Sequence, residues 1–295
     1  MLRVTRIAHC YLSWLQLIRQ HSATDAIAGG KVTSRHEIPF MIAIIFESGE
    51  NQMKVESGGF LLSRNYAITS AHVCKFCERR TCRALIGAWD VQEKNDPTAK
   101  IVDFPGRTVN PLYNPDTTIG VVYDASLLKF SQPLDLNEHV QPLCFATPAT
   151  REIANKDKCH VYGWGNTSLP GQRVHHRSSE NFDPDIIAIS PKLKKIKTQI
   201  MDKVVCDSQI PISGFVCAYT PRLTGPSNGD SGAPLVCKSK DKFYYAYGVY
   251  KGLYGSGFEH PPSLYADSMI IYEWVRSIVG NDLNTDCTTD EEEYS

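Results

Sequence analysis

No charge of either sign dominates this chain. Its 31 lysines and arginines stand against 32 aspartates and glutamates, a formal net charge of -1 over 295 residues. Overall charge therefore implies neither a nucleic-acid nor a membrane-surface partner, and none is expected. Long apolar runs are scarce too. The best candidate, Ile7 to Ile18, is interrupted by His9, Cys10 and Gln16 and is too short to cross a bilayer as a helix. Helical periodicity is nearly missing. Only Ile270, Ile271, Trp274, Val275, Ile278 and Val279 fall on one helical face, and Gly280 follows as a stop. No internal repeat is visible. What remains is an ordinary globular composition, 42% hydrophobic and 21% charged, long enough for one large domain or two small ones.

Cysteine is plentiful by contrast. Ten cysteines read as disulfides formed in an oxidising compartment. The amino terminus agrees, because Arg3 and Arg6 precede the apolar stretch and small residues surround Thr24-Asp25-Ala26. Residues 1–26 are therefore expected to be a signal peptide or short propeptide, and the protein to be secreted to the extracellular space.

From residue 27 onward short apolar runs recur between Gly, Pro, Asn and Asp. They include Phe40 to Phe46, Phe60 to Leu62, Ala67 to Thr69, Ala84 to Ile86, Ser126 to Phe130, His160 to Tyr162 and Tyr244 to Tyr250. Many short strands with turns between them predict an all-β sandwich or barrels. Asn166 to Ser190 is polar and reads as a long exposed loop, with Asn166-Thr167-Ser168 as an N-glycosylation acceptor. Lys192, Lys194, Lys195 and Lys197 read as a solvated basic face. Residues 281–295 end in an acidic run and read as a disordered tail.

Three segments carry chemistry: Thr69 to His72, Tyr123 to Leu128 and Asn228 to Pro234. A serine hydroxyl is a weak nucleophile and needs a positioned base. Histidine can serve, since its ordinary pKa lies near working pH. The histidine in turn needs a buried carboxylate to fix its tautomer. His72, Asp124 and Ser231 supply these types. Singly, each has a bland reading: a structural histidine, a turn aspartate, a Gly-Asp-Ser-Gly turn. Together they point to nucleophilic hydrolysis.

In these segments, with Ile27-Ala28-Gly29-Gly30 and Tyr162-Gly163-Trp164-Gly165, the chain resembles the chymotrypsin-like serine peptidases from Ile27 to about Val279. The resemblance implies two packed antiparallel six-stranded β-barrels with a C-terminal helix, over a peptidase domain of residues 27–280. It implies His72, Asp124 and Ser231 as a catalytic triad and the backbone N–H groups of Gly229 and Ser231 as an oxyanion hole. It implies a zymogen switch in which a new amino terminus at Ile27 pairs with Asp230. Ala26 precedes Ile27, so either an elastase-like or dipeptidyl enzyme cuts there or signal peptidase exposes Ile27 directly. The resemblance also implies the bridges Cys159–Cys237 and Cys206–Cys217.

Departures from the family pattern shape the expected specificity. Gly225, Gly252 and Ser263 match the pocket that receives the substrate side chain, and no Asp or Glu lies between Cys217 and Asp230. A pocket without a buried acid cannot offset the desolvation of Lys or Arg, so cleavage after uncharged, apolar residues is expected. Ser57, Val73 and Ser227 stand where the family usually has bridging cysteines. Tyr250 stands where a serine usually supports the triad aspartate, beside Lys251. Cys74, Cys77 and Cys82 are expected to form one local disulfide, with the third cysteine paired elsewhere. Cys144 has Cys287, that cluster or Cys10 as alternative partners. The expected function is a secreted serine endopeptidase that needs no metal or organic cofactor and meets protein substrates and protease inhibitors. The alternative is a non-catalytic homologue that binds a partner or regulates a cascade.

Overall fold

The computed structural model of the protein describes residues 26–48, 52–151, 154–166, 189–221, 224–239, 243–254 and 262–285. Residues 1–25 of the expected leader (1–26), the middle of the long loop (167–188) and residues 286–295 of the expected tail (281–295) lie outside them; the start of that tail is ordered, with Leu283 buried and Asn284 O accepting from Phe145 N–H at 2.8 Å.

The first half folds as one curled antiparallel sheet. Its strands are β2 (Met41–Ser48), β3 (Gln52–Leu61), β4 (Tyr66–Thr69), β5 (Cys82–Ile86), β6 (Lys100–Val102), β7 (Gly106–Val109) and β8 (Ser126–Lys129). They lie in the order β6-β5-β2-β3-β4-β8-β7. The two edge strands, β6 and β7, are joined by residues 103–105 alone, so the sheet must curl to bring its edges near each other. The apolar run in β2 does not alternate because both its faces are buried. Ile42 and Ile44 face the cluster with Ala84, Ile86 and Leu128, whereas Met41, Ala43 and Ile45 face the cluster shared with the second sheet.

The second half contains β1 (Lys31–Val32), β9 (Cys144–Phe145), β10 (Ala154–Gly163), β11 (Lys194–Ile200), β12 (Phe215–Tyr219), β13 (Pro234–Ser239), β14 (Tyr244–Leu253) and β15 (Ser263–Asp267). The order β11-β10-β13-β14-β15-β12 closes through a further β11–β12 pairing into a six-stranded barrel. Inside it lie Val161, Ile196, Val216, Leu235, Tyr247 and Tyr265. The all-β, chymotrypsin-like expectation thus holds, with one six-stranded barrel closed by hydrogen bonds and the other sheet a seven-stranded half-barrel whose edge strands do not pair.

The C-terminal helix spans Ser268–Val279. Asp267 caps it by accepting from Met269 N–H (2.9 Å), and Gly280 ends it at φ 65°. It buries Ile271, Val275 and Val279 in the cluster that also holds Phe60, Trp164 and Val249, so it seals the seam between the sheets. The basic run is not wholly solvated. Lys194 is buried, with its neighbours Lys192 and Lys195 lying over the Trp89 ring and paired with Glu37.

Candidate active site

His72 and Asp124 hang from neighbouring strands of the first sheet. β4 runs directly into the short helix Ala71–Phe76, which carries His72 in its first turn. A 3-10 turn, Gly120–Tyr123, delivers Asp124 at the start of β8, and β4 pairs with β8 from Thr69↔Ser126 onward. Asp124 is fully buried. One carboxylate oxygen accepts from the His72 backbone N–H at 3.0 Å, and the other meets His72 Nδ1 at 2.7 Å. With both oxygens on one residue, the imidazole has a fixed orientation. A proton on Nδ1 leaves Nε2 as the basic nitrogen. The ring is 38% exposed, so Nε2 has access to a substrate side.

Ser231 comes from the second sheet, just before β13, and is locked onto the first. Its carbonyl accepts from Gly58 N–H of β3 at 3.0 Å. The next residue, Gly232, has φ 86°. A Cβ there would lie 2.2 Å from Thr69 Oγ1 and 2.4 Å from Gly58 O. Only glycine permits this approach, and Thr69 leads to His72. That contact seats the segment carrying Ser231 against the strand end that leads to His72.

The segment before Ser231 forms a tight backbone turn. Gly229 has φ 93°, and a Cβ there would meet Gly165 Cα at 3.1 Å. Asp230 N–H donates to Ser227 O (3.0 Å) and Ala233 N–H to Asp230 O (2.9 Å). The N–H groups of Gly229 and Ser231 have no partner among the described residues. Ser227, the position without a bridging cysteine, braces the turn with hydrogen bonds. Its hydroxyl donates to Asn166 O at 2.8 Å, and Asn166 N–H donates to Asn228 O at 2.7 Å. Asn166 thus holds the turn through its backbone, while Thr167 and Ser168 lie outside the described residues.

Asp230 is fully buried. Its carboxylate accepts from Gly165 N–H (2.8 Å) and Ser227 N–H (2.9 Å). Gly163 and Gly165 cradle it so closely that a Cβ on either would lie 2.0 to 2.3 Å from its oxygens. Among the described residues no cationic side chain pairs with it. Burial therefore pushes its carboxyl up to about 7, against the two hydrogen bonds. Ile27 is buried in the second barrel's cluster, with φ 42°. That torsion is unfavourable for a β-branched residue.

Gly225, just before this turn, and Ser263, paired with Leu253 and Ala218, are buried, and Gly252 stands on β14 with open space where a Cβ would be. Tyr250 does not take over the role of the serine that it replaces. Its side chain does not support Asp124; its hydroxyl donates to Pro226 O at 3.1 Å, and its ring lies 5.4 Å from that of Tyr265. Only its carbonyl faces the triad side, accepting from Ser70 Oγ at 2.7 Å.

Cys159–Cys237 and Cys206–Cys217 form as expected, and Cys77–Cys82 is the local bridge. The third cysteine of that cluster, Cys74, is not paired elsewhere. It is a free, buried thiol whose pKa is pushed up to about 11 by burial. Cys144 is disulfide-bonded, and its candidate partners Cys10 and Cys287 lie outside the described residues. Among the described residues no group of three or more His, Cys, Asp or Glu is placed to hold a metal ion, and no helix is long and apolar enough to cross a membrane.

Sequence reasoning missed the roles of Gly163, Gly165 and Gly232. Their signal was present as glycines flanking the motifs, but which atoms crowd them is a property of the packed fold.

Comparison with known proteins agrees with this geometry. A family profile described as Trypsin matches residues 27–275. Human chymotrypsin-like elastase family member 1 is 25% identical over 262 residues, covering 86% of this chain and 93% of the relative. Dog chymase is 27% identical over 281 residues, covering 92% of this chain and 98% of the relative. The chain therefore belongs to the trypsin family and is a chymotrypsin-like serine endopeptidase.

Proposed function

We propose that the chain cleaves peptide bonds through an acyl-enzyme on Ser231. His72 takes the Ser231 proton as the hydroxyl attacks the carbonyl, then gives it to the leaving amine; water repeats the cycle to release the acid. Asp124 holds the tautomer and steadies the imidazolium. The developing oxyanion lies against the N–H groups of Gly229 and Ser231, each such donor contributing about 3 kcal/mol. The observation that carries this reading is the buried Asp124 carboxylate spanning both His72 N–H and Nδ1, at 3.0 and 2.7 Å.

Activity requires cleavage before Ile27. The new ammonium pairs with Asp230, which has no cationic partner among the described residues of the uncleaved chain. Cutting the Ala26–Ile27 bond also removes the φ torsion that strains Ile27. Substrates carry an uncharged residue before the cleaved bond, because Asp230 is turned onto Gly165 and Ser227 and no other acid lies between Cys217 and Ser231. The enzyme acts outside the cell on proteins, where protein inhibitors of peptidases also meet it.

A fluorophosphonate probe tests the nucleophile. With the chain beginning at Ile27, the adduct should map by mass to Ser231 and vanish in Ser231→Ala. Absence of an adduct on folded chain beginning at Ile27 would support the partner-binding alternative.

A further inference from the structure

Tyr250 sits where three parts of the site converge. It lies on β14 opposite Tyr265 of β15, with ring centroids 5.4 Å apart. Its hydroxyl crosses to the segment before Ser231 and donates to Pro226 O at 3.1 Å. The ring thus spans from β14 to the Gly225–Asn228 segment. Pro226, Tyr265 and Tyr250 itself are closed to solvent, as are Gly225, next to Pro226, and Ser263, two residues before Tyr265. An open pocket would leave such lining residues partly exposed.

The geometry of acyl transfer says what belongs there. The attacked carbonyl must lie at Ser231 with its oxygen toward Gly229 N–H. The leaving amine must lie toward His72, which protonates it. The substrate backbone can pair with β14 beyond Tyr250, where the edge that pairs with β13 as far as Val249 has no further partner among the described residues. The side chain next to the attacked carbonyl is then directed between β14 and the Gly225–Asn228 segment. Tyr250 already bridges that gap.

Resting on the peptidase reading of Ser231, we infer that Tyr250 fills the space for the substrate side chain on the acyl side of the cleaved bond and restricts cleavage to positions after glycine and alanine. A larger side chain must displace the ring, breaking the bond to Pro226 O and the packing on Tyr265. While the ring is in place, Ser263 and Gly225 do not set specificity.

The test uses the chain beginning at Ile27 and peptides that differ only in the residue before the cleaved bond. Wild type should cut after Ala or Gly at least about 100-fold faster, in kcat/KM, than after Leu or Phe. Tyr250→Val should raise the Phe-to-Ala ratio by at least about 10-fold. Tyr250→Phe should keep the wild-type order, because the ring remains. Wild type cutting equally after Phe and Ala, or Tyr250→Val leaving the ratio unmoved, would overturn the inference. A second measurement is independent of catalysis. In a Ser231→Ala background, p-cresol, the lost side chain as a free molecule, should raise the Tm of Tyr250→Ala and not that of the parent; Tyr250→Val serves if the alanine variant does not fold. Equal effects on parent and variant would overturn the inference. Failure of Ser231 to take the fluorophosphonate would count against the peptidase reading alone, and the p-cresol comparison would still decide who occupies the gap.

Discussion

Asp124→Asn changes almost no volume and removes the charge that both His72 contacts use. The amide can donate to Nδ1, which favours the tautomer with its proton on Nε2, the wrong nitrogen for a base. Turnover should fall about 10⁴-fold, the loss that the same substitution causes in a trypsin-like peptidase. Steady-state kinetics on chain beginning at Ile27 checks it; a loss under about tenfold would contradict the orienting role. Gly232→Ala places a Cβ 2.2 Å from Thr69 Oγ1 at φ 86°. It should cost on the order of 3 kcal/mol in denaturant unfolding, since neither backbone can yield freely. Asp230 gives a pH dependence. Its carboxyl is raised to about 7 in the intact fold, above its ordinary unfolded value. The folded chain therefore binds more protons between those values. That contribution is full at acid pH and is lost as pH rises through about 7. Asp230→Asn should flatten this part of the stability-against-pH curve of uncleaved chain; an unchanged slope would show that another group sets it.

Strands and the closing helix differ in how plainly the sequence shows them. The helix at Ser268–Val279 is visible through its apolar face and Gly280, because a surface helix shows its burial as a period. β2 is visible as an apolar run, although only the structure reveals that each face meets a different cluster. The helices Ala71–Phe76 and Lys203–Gln209 give little sequence signal. The first has no side-chain cap at Ser70, whose hydroxyl is used on Tyr250 O instead. The place of the Tyr250 side chain escapes a sequence reading because β14 and β15 shift register between Tyr250 and Gly252. One extra residue on a strand turns the side chains around it to the other face, and no local motif marks where this occurs. At this scale the disulfides should rank by the chain they enclose. Cys159–Cys237 spans 78 residues and Cys77–Cys82 spans 5. Loop entropy assigns them about 4.5 and about 2 kcal/mol, so replacing Cys159 and Cys237 by serine should lower unfolding free energy more than replacing Cys77 and Cys82. The reverse order would mean that local packing, not chain entropy, governs these bridges.

Across the whole molecule, the function rests on two sheets meeting at one glycine. His72 and Asp124 are held by strand pairing within the first sheet. The segment carrying Ser231 is held against that sheet by Gly58 N–H, Thr69 and Gly232. The proposed triad is legible in sequence because three residue types are chemically required and stand in marked motifs. The clamp is not, since it depends on atoms far apart in the chain. The central claim is that His72, Asp124 and Ser231 act as one unit on a peptide bond. Hydrolysis of an unfolded protein substrate by chain beginning at Ile27 tests it most directly, comparing His72→Ala, Ser231→Ala and the double variant. The account predicts that both single variants fall to the same residual rate and that the double variant falls no further. Additive losses, or full activity in either single variant, would contradict it.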